Sequence, residues 1–161
     1  MNPKHILLSL AVAAVPLAVL GPHIVALAAP TYVGVEGENI AVSGYDAVSY
    51  FDGDGTPIKG DAAHAVEHDG AVYHFANAAN AARFAANPAA FVPQFGGHCA
   101  WAMGRGYLAP GDPQQYAVVD GKLYLNFNAA VKAKWDKDRA GFITSGHENW
   151  KKLPADAKFG G

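Results

Sequence analysis

The chain has 161 residues, with 12 lysines and arginines against 14 aspartates and glutamates, for a formal charge of −2. Mixed charge of this size gives no electrostatic case for nucleic acid. The single cysteine, Cys99, excludes an intramolecular disulfide, so in an exported protein its thiol must be buried, ligated or reactive.

Lys4 and His5 precede an apolar run from Ile6 to Leu20, and "ALAAP" (Ala26 to Pro30) offers small residues for cleavage. A basic start, an apolar middle and an A-x-A exit are the parts of a secretory signal. The expected organisation is a signal peptide over 1–29 and one domain over 30–161, soluble after cleavage and periplasmic or secreted. A retained N-terminal anchor is the alternative. Pro16 and the length of the run argue against a stable span, which needs about 20 apolar residues.

The expected domain begins extended. In "GYDAVSYFDGDGTPIKG", Val48, Tyr50 and Phe51 suit a strand, and the glycines from Gly53 to Gly60 mark a loop. Asp52 and Asp54 hint at a calcium loop, but Pro57 and Ala63 stand where that motif needs Gly and Glu, so they read as turn formers. Asp69-Gly70 splits two strand-like runs, as a tight hairpin requires. Tyr73 and Phe75 share one face of the second strand, Val72 and His74 the other. His64, His68 and His74 are four and six residues apart; a helix would let His64 and His68 face one ligand, and on a strand even-numbered spacing puts all three on one face.

Asn77 is a plausible N-cap for the alanine-rich helix that follows, and Asn87-Pro88 restarts the chain. Phe84, Phe91 and Phe95 are core anchors. Gly96-Gly97 breaks the helix just before His98 and Cys99. Asp120-Gly121 signals a second hairpin, with Leu123 and Leu125 on one face and Tyr124 opposite. Asn128 caps a helix in which Val131 and Trp135 are one turn apart; Lys132, Lys134, Lys137 and Arg139 form a solvated face. Ser145 with Glu148 reads as a capping box that opens a last short helix, aligning Ile143, His147 and Trp150. The expected fold is a small α+β domain with two short β-hairpins and several short helices, without an internal repeat.

"GYDAVSYF", "YHFANAANAARFAANPAAFVPQFGGHCAWAM", "VDGKLYLNFN" and the late "NW", in this order, resemble the exported branch of the YHS-domain family, over roughly residues 40 to 153. The resemblance implies a compact α+β unit and an association with heavy metals and metal-transport proteins. The chain departs from the metal-linked pattern. The places of two cysteines fall at Ala76 and Asn80, which supply no thiolate, and His98 stands where an aromatic residue is common.

Three readings compete for "QFGGHCAWAM" (94–103). A thiolate, an imidazole and a thioether suit copper, and soft sulfur favours Cu(I). Cys99, His98 and Met103, with His74 as a further ligand, are the candidate metal residues, and copper the candidate cofactor, held for sequestration or for transfer to a metal-transport partner. In the second reading the protein is a metal-free binding or structural module with Cys99 as a small buried core residue. The third makes Cys99 a nucleophile with His74 as the better base, His98 being too near in sequence, but no catalytic constellation accompanies it.

Overall fold

A computed structural model describes residues 39–154 and 156–159. The expected signal peptide and the first residues of the expected domain lie outside the described residues. None of the described helices is long and apolar enough to cross a membrane.

The fold is a small α+β domain with two antiparallel hairpins and helices between and after them. A short 3-10 turn, Ala41–Gly44, leads through a second, Ser49–Phe51, to β1 (Asp61–His68) and β2 (Ala71–Phe75). Helix α1 (Ala78–Ala86) and the 3-10 turns Pro88–Ala90 and Gln94–Gly97 follow. Helix α2 (Ala100–Gly104), β3 (Asp112–Val119), β4 (Lys122–Asn126), α3 (Ala129–Trp135) and α4 (Arg139–Trp150) complete it. Tyr50 and Phe51 thus lie in a helical turn instead of the expected strand. The turn buries Tyr50, whose hydroxyl donates to the Pro113 carbonyl at 2.9 Å, a long-range contact that β propensity does not register.

Both hairpins turn on the expected Asp-Gly pair, with left-handed backbone at Asp69 and Gly70 and at Asp120 and Gly121. Tyr73 and Phe75 face the core, as the alternation requires. Asn77 and Asn128 cap α1 and α3 by accepting from the amides of Asn80 and Val131, each at 2.9 Å. Of the expected turn aspartates, Asp54 accepts through its carboxylate from the Thr56 amide at 2.9 Å, whereas Asp52 closes the turn through its backbone carbonyl, which accepts from the Gly55 amide at 2.8 Å, and its carboxylate pairs with Arg83. The last helix starts earlier than the capping box predicts, because the Asp138 carboxylate accepts from the Gly141 amide at 3.0 Å. Ser145 and Glu148 therefore lie inside α4.

The structure corrects the expectation of no repeat, for the molecule is built twice from one unit. Each unit opens with three successive left-handed residues, Val42, Ser43 and Gly44 in the first and Phe95, Gly96 and Gly97 in the second. Two residues on, the Asp46 amide donates to the Ile58 carbonyl at 2.8 Å and the Cys99 amide to that of Ala109 at 2.9 Å. Then comes a hairpin whose first strand carries a bulge, between Asp61 and Ala65 or between Asp112 and Tyr116. An Asn-capped helix follows, with Phe84 or Trp135 wholly buried at its end. The sequence carries a trace of the relation, with Asp69-Gly70, Tyr73, Asn77-Ala78-Ala79 and Phe84 answered by Asp120-Gly121, Tyr124, Asn128-Ala129-Ala130 and Trp135.

The two units share one interior through β4. Leu123 and Leu125 complete the apolar cluster of the first unit around Tyr73, Phe75 and Phe84. Tyr124, from the opposite face, joins the second cluster with Phe95, Met103 and Trp135. A strand buried on both faces is why one domain results instead of two.

Candidate functional site

Cys99 sits immediately before α2, at the seam between that helix and β4, and pairs in register with Leu125. The left-handed run Phe95-Gly96-Gly97 turns the chain inward; a Cβ at Gly97 would crowd Pro93 Cγ at 3.3 Å. The thiol is therefore interior, and Cys99 is 1% exposed. Its Sγ lies 3.9 Å from Oδ1 of Asn126, itself wholly buried. Oδ1 also accepts from the Trp101 amide at 3.2 Å. Burial pushes the Cys99 thiol up, against weaker opposing hydrogen bonds from the backbone at Ala102, Phe127 and Trp101.

The other candidate ligands have distinct settings. Met103 lies one helical turn on and donates its amide to the Cys99 carbonyl at 2.9 Å. Its side chain is wholly buried in the second apolar cluster with Phe95, Ala100 and Trp135. His98 is 4% exposed, with its ring 6.0 Å from that of Trp150 and 5.5 Å from that of Phe159. His74 is half-buried on the outer face of β2, next to Gly44 and Gly60. A Cβ at Gly60 would fall on the His74 carbonyl, so this approach needs glycine.

The expectation that His64, His68 and His74 share one face is corrected by the hairpin register. His74 stands opposite Ala65, whereas Val66 stands opposite Tyr73 and His68 opposite Ala71. The two-residue turn changes the parity, so His68 lies on the Tyr73 face, 5.7 Å from the Phe84 ring, and His74 on the other. Among the described residues, no group of three or more His, Cys, Asp or Glu side chains is placed to hold a metal ion.

Sequence reasoning missed Asn126, which faces the thiol, and Asp46, its counterpart site in the first unit. Asp46 occupies in the first unit the place of Cys99 in the second, and is wholly buried. Its Oδ1 accepts from the Val48 amide at 2.8 Å, and its Oδ2 from the Ala76 amide at 2.9 Å and from Asn80 Nδ2 at 2.7 Å. The lone carboxylate inside the apolar stretch "GYDAVSYF" was the available signal. Comparison of the chain with protein-family models, curated proteins and solved structures finds no match.

Proposed function

We propose that this chain is an exported, non-enzymatic binding module of YHS-like type in which Cys99 is a core residue. The supporting observation is the burial of the thiol against Asn126, with its acidity suppressed by desolvation. A fast nucleophile needs the opposite shift. The binding face in this reading is the half-buried Trp101 indole. The Arg105 guanidinium lies 4.9 Å and the Lys134 ammonium 5.5 Å from its ring centroid. Such a face suits a small ligand that combines an apolar ring with negative charge.

Competition for Cu(I) against a chromogenic chelator, with the mature protein and its Cys99→Ser and Met103→Leu variants, tests the role of the thiol. The expected result is equal, weak uptake by all three and slow thiol labelling with or without metal. Tight uptake by the unsubstituted protein that both variants lose would overturn it. That result would establish the second reading, copper sequestration or transfer, which the one-turn spacing of Cys99 and Met103 favours. Titration with anilinonaphthalene sulfonate tests the face; a Trp101→Ala variant should bind at least about tenfold more weakly.

A further inference from the structure

The two units answer the same geometric question with different acids. In the first, a carboxylate gathers two backbone amides and one side-chain amide. In the second, the amides of Trp101 and Phe127, equivalent to those of Val48 and Ala76, and that of Ala102 lie beside a thiol, and the Trp101 amide is taken by Asn126 Oδ1 at 3.2 Å. Beside it, Nδ2 of the wholly buried Asn126 has no hydrogen-bond partner, while Oδ1 of the same amide faces Sγ. One buried donor beside the thiol, Asn126 Nδ2, is thus left without an acceptor, and buried donors without acceptors are costly.

We propose that Cys99 is an oxidation site, and that its product, a cysteine sulfinate, is held in this pocket as the Asp46 carboxylate is held in the first unit. The sulfinate carries two oxygens on one atom, as the carboxylate does. One oxygen takes the Trp101 amide, as Asp46 Oδ1 takes that of Val48. The other takes the Phe127 amide, as Asp46 Oδ2 takes that of Ala76. Released from Trp101, the Asn126 amide turns over and donates Nδ2 to the sulfinate, the part that Asn80 plays beside Asp46.

The oxidant is a hydroperoxide. The Cys99 sulfur attacks one peroxide oxygen; the S–O bond forms, the O–O bond breaks, and the leaving hydroxide takes the thiol proton as water. Sulfur is oxidised by two electrons and the peroxide is reduced. A second equivalent of peroxide converts sulfenate to sulfinate in the same way. The chain contains no other cysteine, so the sulfenate has no resolving thiol within the molecule and proceeds to the next step. Burial keeps the thiol protonated and the reaction slow, which makes it a response to sustained peroxide. This inference goes beyond the binding-module reading and does not depend on the ligand.

The test is treatment of the folded mature protein with hydrogen peroxide, followed by intact mass, fragment mapping and thermal unfolding. The expected product carries two added oxygen atoms on Cys99, also in a Met103→Leu background, and keeps a cooperative transition. The Cys99→Asp variant, which copies the first unit, should melt within about 5 °C of the unsubstituted protein. Oxygen uptake confined to Met103, continuation to a sulfonate at Cys99, or loss of cooperative unfolding in either the sulfinate form or Cys99→Asp would overturn the proposal.

Discussion

At the scale of single residues, Asp46 and Cys99 show how one backbone position serves two chemistries. Asp46 satisfies three donors with two oxygens, so Asp46→Ala would leave the Val48 and Ala76 amides and the Asn80 side chain without their acceptor. The expected cost is about 3 kcal/mol or more, measured by urea unfolding. Cys99 leaves a different trace. Its folded pKa is raised, so its contribution to stability is complete below the unfolded thiol value of about 8.5. That contribution is lost as pH rises from there through the folded value. Between about pH 8.5 and 10, the unsubstituted protein should lose stability that Cys99→Val retains. Above that window Tyr50 adds a similar slope, because burial, aided by nearby Tyr45, pushes its hydroxyl up as well.

At the scale of elements, capping and close approach decide where helices begin and how they pack. Asn77 and Asn128 make the same cap on α1 and α3. Each Asn→Ala change should cost about 1 kcal/mol, read as a shift in the denaturation midpoint. Helix α4 lies against α2 at Gly104 and against the Gln94–Gly97 turn at Gly146. A Cβ at Gly104 would stand 2.7 Å from Phe142 Cδ1, and one at Gly146 would stand 2.7 Å from Phe95 Cζ. Gly146→Ala, despite its better helix propensity, is expected to destabilise by about 1–3 kcal/mol through overpacking. A stabilising effect in thermal unfolding would show that α4 is loosely docked.

At the scale of the molecule, the two units are not independent. The first cluster needs Leu123 and Leu125 from the second hairpin, so a fragment ending after residue 92 lacks part of its own core. Such a fragment should show no cooperative unfolding transition. In the whole chain, Leu125→Ala should cost about 2–5 kcal/mol and lower amide protection in both hairpins together. Loss of protection confined to β3 and β4 would mean that the units fold separately.

The hairpin turns, the Asn caps and the buried Phe84 and Phe95 were legible in sequence, because each depends on chemistry confined to a few neighbouring residues. The left-handed triplets and the equivalence of Asp46 with Cys99 were not. They depend on which distant backbone each segment meets. The sequence by itself determined an α+β chain with two Asp-Gly hairpins and one thiol next to a glycine bend, since turn and cap preferences are local steric and hydrogen-bond effects. Only the tertiary structure decided that this thiol points inward at Asn126, and that β4 is buried on both faces. Burial is a property of the assembled packing, and no stretch of chain carries it alone.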